Sequence, residues 1–164
     1  MQDSKEYRQQ QISEYKKEVM PLLRYLPWFE ANSDKPASTI YNGDCGIGVE
    51  HSLSFPVYDS TLMNFIKEAS KSSLMDINYR YVYTRNHIEN HEQERKLIEN
   101  ATITEWGILC GIFSKYVLGG RTKGVLWSEA VSERIFYLIL KQMKSIIEFW
   151  NQPFDTKRSD RVGL

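Results

Sequence analysis

Apolar residues recur along this chain with two different periods, and those periods define its elements. From Ile12 onward, Tyr15, Val19, Leu22, Leu23 and Leu26 step by three or four, the spacing that places side chains on one face of a helix. This predicts an amphipathic helix over about 4–29. Pro21 lacks an amide donor and crowds the turn before it, so a kink or split is expected near Met20. Over 31–50 the pattern lapses. Asn32, Ser33, Asp34, Pro36, Asn42, Gly43, Gly46 and Gly48 mark a loop, and one of that length is either functional or partly disordered. His51–Tyr58 then alternates, with Leu53, Phe55 and Val57 on one face. It reads as a strand that Pro56 pushes toward a sheet edge. Asp59 is placed to cap a helix carrying Leu62, Met63, Phe65, Ile66 and Ala69.

A second strand is expected at Tyr79–Thr84, where Tyr79, Tyr81 and Tyr83 alternate and so share a face. The polar stretch 85–101 holds a short helix near 92–99. Thr102-Ile-Thr-Glu105 matches a capping box and opens a helix with Trp106, Leu109, Ile112, Phe113, Tyr116 and Val117. Gly119–Gly124 stops it. From Val131 through Ile135, Leu138, Ile139, Met143, Ile146 and Ile147 to Trp150 the apolar steps run unbroken, which predicts one last core helix. The pattern as a whole gives an α+β fold, mainly α: a helical domain with a small two-stranded β element. It fills one domain, 1–164, with 1–10 and 155–164 expected to fray.

Composition narrows the function. The 164 residues carry 21 bases and 21 acids, a formal net charge of zero. That excludes both a simple basic nucleic-acid binder and an acidic mimic of nucleic acid. Two cysteines, Cys45 and Cys110, do not make a disulfide framework. Met1–Arg8 holds no apolar leader, and no apolar run approaches the ~20 residues of a membrane span. The expected setting is cytoplasmic, away from the membrane.

Candidate chemistry is sparse. His87 and His91 share a face if their stretch is helical, but His-Ile-Glu-Asn-His is not the His-Glu-x-x-His of a zinc protease. The segment reads as a solvated connection, and no metal site is expected. There is no Gly-x-Ser-x-Gly elbow. Cys110 lies in an apolar run, which raises a thiol's pKa instead of activating it, so no catalytic residue and no cofactor are assigned. The glycine-rich segments 43–48 and 119–124 fit neither phosphate-binding fingerprint. Charge is uneven: 106–164 holds nine bases against five acids, and 31–105 holds seven against eleven. Nucleic-acid contact remains disfavoured, because the turn from about 118 to 124 is long for a helix-turn-helix.

The turn Gly119-Gly-Arg-Thr-Lys-Gly124 is the most suggestive surface. It precedes a helix whose first free amides favour an anion, and its glycines permit left-handed backbone. Arg121 can fork onto a carboxylate or phosphate, whereas Lys123 acts as a point charge. Trp127 follows one turn later. Arg121, Lys123, Trp127 and Glu129 are the candidate contact residues for an anionic ligand or partner. The rival role for Arg121 is an internal pair with Glu129 that orders the turn.

Asn100-Ala-Thr-Ile-Thr-Glu-Trp106, Leu109–Tyr116, Gly120-Arg-Thr-Lys-Gly-Val-Leu-Trp-Ser-Glu-Ala130 and Ile135–Leu140 together resemble a bacterial domain-of-unknown-function family. That family has a helix, a basic Arg-x-x-Gly-x-Leu turn and a closing helix. Here the matching positions are Arg121, Gly124, Leu126, Ile139, Leu140 and Met143. Phe55–Phe65 is similar to the family's strand-to-helix entry, and the likeness covers about 20–150. The chain departs from it at Thr122-Lys123, where Asp-Arg-Phe is common, and at Val125, where a histidine is common. The resemblance implies a fold and no activity. Two functions follow as expectations. One is a non-enzymatic interaction protein that binds another protein, as a mobile-element accessory or inhibitor. The other is a small enzyme or nucleotide/phosphate binder that uses the basic turn.

Overall fold

The computed structural model describes residues 2–33, 38–43 and 53–151. The molecule is mainly helical. Helices α1 (Gln2–Leu23), α2 (Leu26–Asn32), α3 (Ser60–Lys71), α4 (Tyr79–Arg85), α5 (His91–Asn100), α6 (Trp106–Gly119), α7 (Val125–Ser132) and α8 (Ile135–Asn151) follow one another. Between α2 and α3, β1 (Ser38–Gly43) runs antiparallel to β2 (Leu53–Tyr58), with Ser38 opposite Tyr58 and Gly43 opposite Leu53.

Two helices form the centre. α6 is apolar around most of its circumference, as a helix enclosed by others must be. It buries Leu109, Gly111, Ile112, Phe113, Tyr116 and Val117 against α3, α4, α5, α7 and α8. α8 lies against α1, α2, α5, α6 and α7 and buries Ile135, Phe136, Ile139, Leu140 and Met143. Aromatic rings fill the space between them. Phe65 meets Phe29 at 4.8 Å and Phe136 at 5.2 Å, both edge to face, the arrangement that the ring quadrupole favours.

Several sequence expectations give way to the structure. Tyr79–Thr84 is not a strand. It is the helix α4, held against α6 at Gly111, where an added Cβ would lie 2.7 Å from Val82 Cγ1. Tertiary contact with a glycine surface overrides the β-propensity of alternating tyrosines. The partner of Leu53–Tyr58 is therefore Ser38–Gly43, inside the stretch expected to be a loop. The continuous helix expected from Val131 to Trp150 is broken as well. Arg134 takes a left-handed φ of 64° and separates α7 from α8, although the apolar spacing continues across the break. Pro21 sits inside α1, and the chain leaves the helix only after Leu23. The capping box at Thr102 opens a short 3-10 turn (Ile103–Glu105) that leads into α6, with the Thr102 hydroxyl 2.8 Å from Glu105 Oε2. The loop stretches 34–37 and 44–50, with Cys45, and the tail 155–164 lie outside the described residues.

Candidate functional site

The centre of interest is a buried carboxylate. Glu94 lies on α5 in the same helical row as Ile98, and its side chain is 1% exposed. A charge in that position needs partners, and three elements supply them. Tyr83 of α4 donates its hydroxyl to Oε2. Tyr116 of α6 lies 2.6 Å from Oε1 and 2.8 Å from Oε2. Lys115 of α6 approaches Oε2 at 3.6 Å, its ammonium 4.6 Å from the centre of the Tyr83 ring. His91, at the first turn of α5, places Nδ1 2.8 Å from Oε1.

Burial, and then the Glu94 carboxylate, push the Tyr83 and Tyr116 hydroxyls well above the usual phenol range. Both therefore remain neutral donors. The Glu94 carboxylate accepts from Tyr83, Tyr116 and Lys115, and its Oε1 shares a hydrogen bond with His91 Nδ1. The other ring nitrogen, Nε2, lies 3.9 Å from Glu129 Oε2 of α7.

This cluster floors a cleft of about 470 Å³ whose walls include Ile88, Glu89, His91, Lys123, Leu126 and Glu129. A second groove of about 440 Å³ adjoins it, lined by Tyr79, Arg80, Tyr83, Thr84, Lys115 and Leu126. Tyr83, Lys115 and Leu126 border both, so a cleft of mixed surface that carries charged side chains shares a wall with a mainly apolar groove.

Of the residues singled out in the turn, the structure brings Lys123 and Glu129 together on this cleft. Arg121 lies exposed on the turn, and among the described residues it makes no ion pair with Glu129. Trp127 packs inward: its indole donates to the Val117 carbonyl at 3.2 Å, and Tyr58 meets its ring edge-on at 5.4 Å. The turn's glycines are also not left-handed. Gly120 has φ −65° and Gly124 φ −53°. Gly120 is instead a close-approach residue, since a Cβ there would lie 2.1 Å from Trp127 Nε1.

The stretch 85–101 is not simply a solvated connection, because it supplies Glu94 and His91. His87 stands apart from them, in the turn before α5 with φ 53°. The signal that could have found Glu94 is its spacing. It stands four residues before buried Ile98, which places a charge on the apolar row of α5. Cys110 lines a separate cavity of about 520 Å³ with Tyr15, Trp106 and Asp76. Burial and Asp76 push its thiol up to about 12.

Among the described residues no group of three His, Cys, Asp or Glu is placed to hold a metal ion, and no helix is long and apolar enough to cross a membrane. Compared with protein-family models, with curated proteins and with solved structures, the chain matches none.

Proposed function

We propose that this protein is a non-enzymatic interaction protein that docks a segment of another protein along the paired compartments between α4, α5, α6 and α7. The observation that carries the reading is the shared wall of Tyr83, Lys115 and Leu126, which joins a mainly apolar groove to a cleft lined by charged side chains. A peptide segment presents apolar and charged side chains at adjacent positions and uses both. Val125, 48% exposed at the start of α7, adds apolar surface next to Leu126. Arg121 and Lys123 provide the exposed basic side chains of the adjoining turn.

The same proposal takes the chain for a bacterial, cytoplasmic member of the family that 20–150 resembles. It also takes the two-stranded element as integral to an α+β domain, because Tyr58 at the end of β2 donates to the Gly124 carbonyl. A second reading, phosphate or nucleotide binding, is supported by the two ammonium groups, Lys115 and Lys123, on one cleft.

A photo-reactive phenylalanine placed at Val125 tests the docking. It should cross-link to a discrete partner in cells, whereas the same group at exposed Met63 on α3 should not. Lys123→Glu should reduce the cross-link with the melting temperature unchanged. Equal labelling from both positions overturns the reading. A saturable response of the Lys123 amide to inorganic phosphate or a nucleotide, in the absence of any cross-link, selects the second.

A further inference from the structure

The three cavities described above differ in charge. Glu14, Glu18 and Asp76 line the one beside Cys110, against Lys17. Glu89, Glu94 and Glu129 line the cleft, against Lys115 and Lys123. The groove beside α4 reverses the balance. Arg80 and Lys115 line it and, among the described residues, no carboxylate does. The two bases are not equivalent. Lys115 is held from below, 3.6 Å from Glu94 Oε2 and 4.6 Å from the centre of the Tyr83 ring. Arg80 is exposed in the first turn of α4. Thr84, one turn further on, donates its hydroxyl to the Arg80 carbonyl, which leaves the guanidinium as the charged donor on this wall.

The rest of the groove is mainly apolar, and its walls are fixed. Tyr83 donates its hydroxyl to Glu94 and carries the Lys115 ammonium on its ring, so its place is set before anything binds. Tyr79 and Leu126 come together over Gly119, where a Cβ would lie 3.0 Å from Leu126 Cδ1 and 3.7 Å from the Tyr79 hydroxyl oxygen. A side chain at 119 would intrude on both. Walls that are already ordered lose little side-chain freedom on binding, and tyrosine is a residue type on which interfaces concentrate their energy. An isolated anion gains nothing from apolar walls. An acidic residue beside a bulky apolar one uses the whole groove, because the guanidinium forks onto its carboxylate while the neighbour packs on Tyr79, Tyr83 and Leu126. The adjoining cleft restricts the acid to one, since Glu89 and Glu129 line it and like charges repel at short range.

We infer that this groove anchors the docked partner, and that its occupant is a segment of that protein in which a single aspartate or glutamate stands beside a leucine or an aromatic residue. The acid pairs with Arg80, and the apolar side chain lies between Tyr79, Tyr83 and Leu126. The inference rests on the docking reading and adds the chemistry of the partner to it. The ion pair sits at the surface, where water and salt screen it. The acid therefore contributes selectivity, and the apolar contact contributes most of the affinity.

Random heptapeptides displayed on phage and selected against the full chain are the probe. The selected sequences should be enriched in one Asp or Glu next to Leu, Phe or Trp. The tightest of them, dye-labelled and titrated in solution, should bind Arg80→Gln about fivefold more weakly, the upper range for an exposed ion pair. Arg85→Gln, on the same helix but outside the groove lining, should bind it as the parent does. Arg80→Glu places an acid in the first turn of a helix, where the dipole favours one. It should reject the peptide and accept the same peptide with its acid changed to lysine, which also shows that the fold is intact. A selection without an acid beside an apolar residue, binding indifferent to Arg80→Gln, or no rescue by the charge-reversed peptide overturns the inference. An oligoglutamate of equal length that binds as tightly overturns it too, in favour of a diffuse basic surface. Inorganic phosphate that displaces the peptide with equal affinity makes the ligand a free anion and overturns the partner as its source. A Val125 cross-link that survives Arg80→Glu at full strength sinks the acidic anchor and leaves the docking standing. Peptides that depend on Arg80, without any cross-link in cells, leave the groove standing and sink the docking.

Discussion

Tyr116 shows how one hydroxyl can hold a site together. It reaches both oxygens of Glu94 and lies 3.1 Å from His91 Nδ1, on a side chain that is fully buried. Tyr116→Phe removes the hydroxyl and little else, and the carboxylate loses a donor that buried surroundings cannot replace with bulk water. The expected cost is about 1–3 kcal/mol in urea unfolding, the range for leaving a buried acceptor short of a partner. Tyr81→Phe is the control. That tyrosine is 64% exposed, and its loss should stay within about 0.5 kcal/mol. A Tyr116→Phe protein as stable as the Tyr81→Phe one would remove Glu94 from its place as a buried, donor-dependent charge. At this scale two residues on the rim of the cleft, Lys123 and Glu129, were legible and the buried cluster beneath them was not. Lys123 stood out because it lies in a glycine-rich turn, and Glu129 because it follows on the next helix as the rival partner of Arg121. Glu94 did not, because its burial comes from hydroxyls 11 and 22 residues away in sequence, on helices whose packing no local spacing encodes.

Among the elements, the contact between α4 and α6 decides whether the site exists. α4 is only seven residues long, too short to persist as an isolated helix in water, so its shape depends on what it packs against. Gly111 lets Val82 seat directly on the α6 backbone. Gly111→Ala would place a methyl group 2.7 Å from Val82 Cγ1, and overpacking of that kind costs about 1–3 kcal/mol. The strain has a direction, because displacing α4 also draws Tyr83 away from Glu94. Val82→Ala should therefore relieve part of the Gly111→Ala loss, and a double-mutant cycle should show a favourable coupling of at least about 0.5 kcal/mol. Strict additivity would show that the two helices do not meet there. Helix identity was legible wherever a long apolar stripe was present, as in α1, α3, α6 and α8. It failed at α4, where seven residues with alternating tyrosines carry a strand-like period that a glycine face on α6 overrides. It failed also at Arg134, because a single left-handed residue breaks a helix without disturbing the three-and-four rhythm on either side.

For the molecule as a whole, the proton balance of the packed centre sets how stability responds to alkali. Burial pushes Cys110 up to about 12 from an unfolded value near 9.0. Tyr83 and Tyr116 are raised from 10.0 by burial and by Glu94, Tyr15 by burial, Cys110 and smaller charge effects, and Tyr58 by burial with a smaller contribution from Glu129. In each case the folded state holds its proton longer than the unfolded chain does. Above about pH 9 the unfolded state therefore binds fewer protons than the native one, and linkage makes stability fall as pH rises. The stabilisation is complete below the unfolded value and is lost as pH climbs through the folded one. The urea midpoint should thus be insensitive to these groups below about pH 9 and decline steadily above it. Cys110→Ala and Tyr116→Phe each start from a lower midpoint, because each removes packing or a hydrogen bond, so the slope is the informative quantity. Each variant should decline less steeply than the parent over the alkaline range, since each has one group fewer to titrate on unfolding. A parent midpoint that stays level to about pH 11 would mean that these hydroxyls and this thiol ionise as readily in the fold as outside it, and the buried network joining α4, α5 and α6 would not be the one described.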